Sequence, residues 1–401
     1  MKAKVFKFES ILILCVLLLV SFFYLTNYWI STDAPVYLSF ARDIAEGNSL
    51  YDDIYCSYVP LVIYVNSIIF KIFGFEYIYF ILFQFFIILL SSVSLFFLCN
   101  IFRKNISESI FTSLLFLLTV FCADGFEFIL EPYLLLFTFC GLLSLYKSRF
   151  ILSGLFIGFA VLSKQYGYVY YPIFLLLIYY ENLLTYKTLF LFSLGFLIPQ
   201  FLFITVMTVL YGVSLEYLII QLSGSQYDFN GSTFEVGLFE YLIGGKVLFS
   251  LLILYFMSFK FNKDIILLLI MLIISLIPTL IKTYQHYFLI SFPIFYLILI
   301  KSELRRQFLF NKIIFIIVII SNSFLLINRI NKYKYKRENQ ITKSFELLGE
   351  HKRGSEILIE GSIYLYLTNN YKNPLVSKFG YQFFYKIPEA EKNKFKRLKI
   401  D

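Results

Sequence analysis

The chain has 401 residues, 59% of them hydrophobic and 15% charged, where a soluble domain carries about 25% charged residues, so a soluble globular protein and a disordered chain are both excluded. The formal charge of +9 comes with no nucleic-acid-binding motif; it fits membrane orientation and anionic lipid instead. With 50 Phe and 33 Tyr against 1 Trp, the aromatic content suits lipid-facing surface and span ends.

Met1 to Leu25 is laid out like a signal sequence, with Lys2, Lys4 and Lys7 ahead of an apolar core. No small-residue cleavage site follows, only Phe22, Phe23 and Tyr24, so the segment is read as an uncleaved first span. The aqueous stretch Asn27 to Val59 comes next. Thr32-Asp33-Ala34-Pro35 opens a helix that runs to Glu46 and stops at Gly47. Val36, Phe40 and Ile44 form one apolar stripe, with Arg42, Asp43 and Glu46 largely off it, the pattern of a helix lying in the membrane interface. Pro60 to Phe73 is too short for a comfortable span and fits an interfacial or re-entrant helix.

Spans are expected at about 9–27, 78–99, 108–123, 131–146, 150–163, 168–181, 187–211, 238–258, 264–281, 284–300 and 309–327, about eleven in all. Short basic segments set the orientation: Lys2, Lys4 and Lys7, Arg103 and Lys104, Lys147 and Arg149, Lys187, Lys260 and Lys263, and Lys301, Arg305 and Arg306 fall on one side, the cytoplasm. The other side receives 28–77, 124–130, 164–167, 212–237, 282–284 and the tail. In the tail, Glu356 to Glu360 reads as a strand and Ser362 to Asn369 as a short helix, with Asn373-Pro374 as a breaker. The predicted fold class is an all-α polytopic membrane protein, residues 1–327, with interfacial helices in its first external loop (28–77). A small α/β extracytoplasmic domain, 328–401, completes it. The expected location is the plasma or inner membrane, with the N-terminus cytoplasmic.

The five cysteines, Cys15, Cys56, Cys99, Cys122 and Cys140, form no CxxC and no metal spacing. Three lie in apolar runs as small hydrophobes, and Cys56 and Cys122 both face outside, where a disulfide is open to them.

Several ionisable groups gather on the outer side. Asp33 is an N-cap by position, with Pro35 in the first turn, and a capping carboxylate at a membrane surface can also accept a proton. Glu131-Pro132 starts a span; the acid there suits a helix N-terminus and also suits a cavity shared with Asp33. Asp124 and Glu127 read as solvated loop. Lys164, in Ser163-Lys164-Gln165-Tyr166-Gly167, either snorkels to water or neutralises a lipid phosphate. Lys282 and His286, in Lys282-Thr283-Tyr284-Gln285-His286-Tyr287, read as polar belt residues or as a phosphate site. Leu222 to Gly237 has a loop composition, and Tyr227, Asp228 and Glu235 in it read as solvated groups or as part of a cover over an acceptor. There is no Gly-rich phosphate loop, no HExxH and no GxSxG, and no cytosolic stretch is long enough for a nucleotide-binding domain. Any activated substrate is therefore expected to arrive within the membrane, carried by a lipid.

Asp33, Tyr37, Ala41-Arg42, Gly47, Leu50-Tyr51-Asp52-Asp53-Ile54 and Pro60-Leu61 together resemble the first external loop of the GT-C glycosyltransferases. Within that superfamily the resemblance is to enzymes of the dolichyl-phosphate-mannose–protein mannosyltransferase and lipid A aminoarabinose transferase type. Glu131-Pro132 resembles the second external acid; Ser163-Lys164-Gln165, and His286-Tyr287 with Pro293, resemble later membrane motifs. Ile357 to Thr368 resembles the start of the tail domain. Two departures stand out. Ala34 follows Asp33 where the family often has a second acid, and Tyr58-Val59-Pro60 replaces Lys-Pro-Pro at the loop end. Another cation has to serve there, with Lys164, Arg42 and Lys282 as candidates. The resemblance implies a sugar transferred from a polyprenyl phosphate to an acceptor hydroxyl, on glycan, lipid or protein, by one inverting displacement. Asp33 is then the base, Glu131 the acid orienting the acceptor, and Lys164 with His286 the groups near the phosphate. Tyr227 and Asp228 stand in the acceptor loop. No cofactor is implied with certainty, and a divalent cation is compatible with such a site. The alternatives are a lipid-linked glycan transporter and an O-antigen-type polymerase or ligase.

Overall fold

The structure, a computed structural model, describes residues 34–74, 77–103, 106–120, 129–223, 263–281, 285–301, 358–360 and 397–399. The expected spans 9–27, 238–258 and 309–327 and the tail helix 362–369 lie outside these residues.

The first loop contributes α1, Ala34–Ala45, and α2, Leu61–Phe73, which pack on each other. Helix α1 ends where expected: Gly47 takes φ 108°, a conformation that only glycine adopts without strain. Its burial departs from the expected interfacial pattern. Val36, Phe40 and Ile44 are buried, but so are Arg42 at 2% and Asp43 at 5% exposure. The polar face can leave water because it is matched within its own helix. Arg42 donates to Asp43 Oδ1 from Nη2 at 2.9 Å and from Nε at 3.2 Å, with Glu46 Oε1 3.8 Å away. Helix α2 has 13 residues, about 20 Å of helix and less than a bilayer core, and its Ile68, Ile72 and Phe73 are exposed, as an interfacial segment would have them.

Helices α3 (Tyr77–Arg103), α4 (Ile106–Val120), α5 (Glu131–Tyr146) and α6 (Phe150–Ser163) follow. A 3-10 turn, Gln165–Val169, leads into α7 (Tyr170–Tyr180). Helix α8 (Tyr186–Thr205) continues into a π turn at Val206–Leu210, and α9 is Leu215–Ser223. Helix α10 is Lys263–Ile281. The segment expected as a span from 284 begins with a 3-10 turn, Gln285–Ser291, so that Pro293 falls in the first turn of α11, Phe292–Lys301, where its missing N–H costs nothing. Two stretches, Ile78–Phe102 and Tyr186–Leu210, are each 25 residues and apolar enough to cross a bilayer. Leu358–Glu360 (β1) pairs in parallel with Arg397–Lys399 (β2), which places the expected tail strand in a two-stranded sheet.

The basic turns share one end of the bundle. Phe102, next to Arg103, packs edge-on against Tyr146, next to Lys147, at 4.6 Å. Lys301 is ion-paired with Glu181 and lies 4.4 Å from the Tyr180 ring, and Tyr146 donates to the same carboxylate at 3.0 Å. The starts of α5 and α7 and the end of α6 lie at the opposite end.

Helices α6 and α8 approach backbone to backbone. A Cβ on Gly154 would stand 2.0 Å from the Phe192 carbonyl oxygen, and one on Gly195 would stand 2.2 Å from that of Ile151. Gly154-Leu155-Phe156-Ile157-Gly158 is thus a small-xxx-small face, the means by which membrane helices gain close packing without a hydrophobic drive between them.

Candidate functional site

Glu131 is the first residue of α5, followed by Pro132, and is fully buried. The segment before it is tied to α3, where Gln84 Oε1 accepts from the Ile129 N–H at 3.1 Å. Lys164 occupies the extended residue between α6 and the 3-10 turn, φ −157° and ψ 132°, and is 6% exposed. Its Nζ donates to Glu131 Oε1. A carboxylate at a helix N-terminus is favoured by the peptide dipoles, and a fully buried one also needs a cation. Here the chain supplies it from 33 residues downstream.

Two rings cover the ammonium. Nζ lies 4.2 Å from the Tyr287 centroid and 5.8 Å from that of Tyr166, and the rings meet edge-on at 5.1 Å. Tyr287 stands in the 3-10 turn before α11, which is held to α7 by a hydrogen bond from Tyr170 Oη to the Ile290 carbonyl. Burial pushes the Tyr166 hydroxyl above its ordinary value; the hydrogen bond to Tyr287 acts against that, and the Glu131 carboxylate adds to it. Tyr166 therefore stays a neutral phenol beside the pair.

The first loop reaches the same end. The Gln165 Nε2 donates to the Ser57 carbonyl at 2.7 Å and to the Leu222 carbonyl at 3.2 Å. Tyr51, left-handed at φ 71° and fully buried, donates from Oη to the Tyr58 carbonyl at 2.5 Å and packs edge-on to Phe203 at 5.9 Å. Strain of this kind in a bulky residue persists only where surrounding contacts enforce it. Tyr37 lies edge-on to Tyr58 at 4.9 Å.

Among the expected site residues, Glu131 and Lys164 are brought into contact. Arg42 is ion-paired inside α1. The backbone of His286 lies in the 3-10 turn beside Tyr287; its side chain is outside the described residues, as are Asp33, Lys282, Tyr227, Asp228, Asp124 and Glu127. The sequence reading quoted Tyr166 and Tyr287 only as parts of their motifs, with no role of their own, and missed Gln84. A signal for the first two existed: each aromatic residue follows, within two or three positions, a polar group at a predicted outer turn. Among the described residues no three His, Cys, Asp or Glu side chains converge as a metal site.

Cys56 is a buried thiol whose Sγ donates to the Tyr58 carbonyl at 3.6 Å, and Cys122, with which a disulfide was left open, lies outside the described residues. Burial pushes the thiol from 9.0 up to about 12, its bond to that carbonyl acting in the opposite direction. The folded state holds the neutral thiol, so its contribution is whole below pH 9 and is lost as pH rises through the folded value. Alkylation at pH 8 should leave Cys56 unlabelled in the folded protein and label it once the protein is unfolded; labelling of the folded protein would contradict this placement.

The chain is similar to the crystal structure of ArnT, lipid A aminoarabinose transferase, from Cupriavidus metallidurans bound to undecaprenyl phosphate. That match has a TM-score of 0.63 at 12% identity and covers 92% of this chain and 87% of that one. The same enzyme in the apo state matches with a TM-score of 0.55 at 15% identity, covering 72% of this chain and 58% of that one. At these identities the similarity is one of fold, and it agrees with the helical membrane fold expected for the chain. No protein-family model matches the sequence, and no curated protein matches it.

Proposed function

We propose that the protein is a membrane glycosyltransferase that moves a sugar from a polyprenyl monophosphate to an acceptor hydroxyl at the non-cytoplasmic face. The observation that carries this reading is the buried Glu131–Lys164 pair under Tyr287, at the bundle end where Gln165 holds the first loop. The similarity of fold to a transferase crystallised with undecaprenyl phosphate supports the choice of lipid.

The chemistry asks little of the protein. A phosphomonoester leaves readily, so the reaction needs a base for the acceptor proton and cations for the growing phosphate charge. Asp33, one residue before α1, is the proposed base: it takes the proton of the acceptor hydroxyl, whose oxygen attacks the anomeric carbon from the face opposite the phosphate and inverts it as the sugar–phosphate bond breaks. Lys164 carries the cation. It is held at a carboxylate and two rings, so little reorganisation is needed when the phosphate develops its second negative charge. Glu131 orients the acceptor, and Arg42, Lys282 and His286 are further groups for the phosphate. Tyr227 and Asp228 belong to the acceptor side. Residues 328–401 form the extracytoplasmic domain, and the N-terminus is cytoplasmic.

The test uses purified protein in lipid nanodiscs with a radiolabelled sugar on undecaprenyl monophosphate or diphosphate. Release of labelled sugar from the monophosphate, with inverted stereochemistry in the product, is expected. Release only from the diphosphate indicates a polymerase or ligase, and lipid movement without release indicates a transporter. Asp33→Asn should abolish transfer while leaving expression intact. Chelation of divalent cations should leave the rate unchanged, since a lysine performs the neutralisation; a rate restored only by added metal would assign that work to an ion.

A further inference from the structure

We propose that Gln165 is a positioning residue for Lys164, tying the donor-phosphate cation to the first external loop and to α9. Lys164 caps both the end of α6 and the start of the 3-10 turn, so its side chain is placed by whatever fixes the backbone of 164–166. Within the turn that backbone has the Gly167 N–H bond to the Lys164 carbonyl at 2.8 Å and the Lys164 N–H bond to Ala160 at 3.1 Å. Both run along the chain and hold it to α6, but neither holds it to the rest of the site. Gln165 supplies that. Its amide has two N–H groups, and the structure gives it two carbonyl acceptors, Ser57 at 2.7 Å and Leu222 at 3.2 Å, in segments 108 and 57 residues away.

The Ser57 side of this tie is itself fixed. The next carbonyl, Tyr58, accepts from the buried Tyr51 hydroxyl at 2.5 Å and from the Cys56 thiol at 3.6 Å. Two consecutive carbonyls at the end of the first loop are thus capped by side chains, one from within the loop and one from the Lys164 turn. Both bonds from Gln165 are part-buried, and losing them together removes the tie to the first loop and to α9 in one step. The Gln165 amide donates to those two carbonyls and acts through Lys164. The inference rests on the proposed role of Lys164 at a lipid phosphate.

The experiment measures the dissociation constant of undecaprenyl monophosphate for the full chain in nanodiscs. Gln165→Met keeps the side-chain length and removes both donors; binding should weaken about tenfold. In a Lys164→Met, Glu131→Gln background the pair is neutral, and Gln165→Met should then change the constant by less than twofold, because a residue acting through Lys164 has nothing left to position. The same loss in both backgrounds would overturn the inference, as would an unchanged constant in the first. Gln165→Asn, with donors retained but one methylene short of both acceptors, should fall between wild type and Gln165→Met; behaviour like wild type would also overturn it. If the wild-type chain binds no monophosphate lipid, the functional reading falls together with the inference. If binding is intact and the cycle is additive, only the role of Gln165 falls.

Discussion

Lys164→Met should lower transfer about a hundred- to a thousandfold, the loss that follows removal of one preorganised electrostatic group from a reacting centre. It should also cost about 3–5 kcal/mol of stability, because the fully buried Glu131 carboxylate loses its cation. The two effects have separate signatures. Adding Glu131→Gln to Lys164→Met removes the orphaned charge, so stability should recover in large part, while transfer should not recover at all. Denaturant titration of the detergent-solubilised protein reads the first, and initial rates with the monophosphate donor read the second. A Lys164→Met protein that transfers sugar at the wild-type rate would remove the pair from the chemistry. Recovery of activity in the double variant would make the pair a structural element only.

Gly154→Ala should be almost as damaging, though it touches no ionisable group. The added methyl group would lie 2.0 Å from a backbone oxygen of α8, and no side-chain rotation relieves that contact. The helices must separate, at a cost of about 1–3 kcal/mol or more. Because α6 ends in Ser163 and delivers Lys164, separation also displaces the cation, and activity should fall with stability. Gly195→Ala should behave alike, from the other side of the same crossing. Gly141→Ala is the control. Its methyl group would meet the end of the Ile157 side chain at 2.9 Å, which can rotate away. Melting temperatures of the three variants check the order. An equal response from Gly141 and Gly154 would show that the α6–α8 crossing is not as close as described.

Much of the helical part was legible in the chain. Helices α5 and α6 run Glu131–Tyr146 and Phe150–Ser163, the limits predicted for them, because Pro132, Lys147 and Arg149 interrupt a uniformly apolar stretch at both ends of the hairpin. The tail strand was legible in the short apolar run between Glu356 and Glu360, closed by Gly361, and is observed at Leu358–Glu360. Helix α1 was legible in its limits and misread in its surroundings. Its spacing separates an apolar stripe from Arg42 and Asp43, and spacing cannot report that the two charges bond to each other and are buried together. The 3-10 turn Gln285–Ser291 was concealed too, since the apolar run Tyr287 to Ile290 leads straight into α11 while the geometry is set by the bond from Tyr170.

Composition and the order of apolar runs determined by themselves that this is a helical membrane protein, where its hairpins turn, and which turns carry basic residues. These are local properties, dictated by how many residues a bilayer requires and by which residues can end a helix. Only the tertiary structure decided that Glu131 meets Lys164, that Tyr287 lies over them, and that Gln165 reaches the first loop. Those contacts join residues 33 to 123 positions apart. Their distances are set by how closely α6 and α8 approach at Gly154 and Gly195, and by the need of every buried charge for an opposite one beside it.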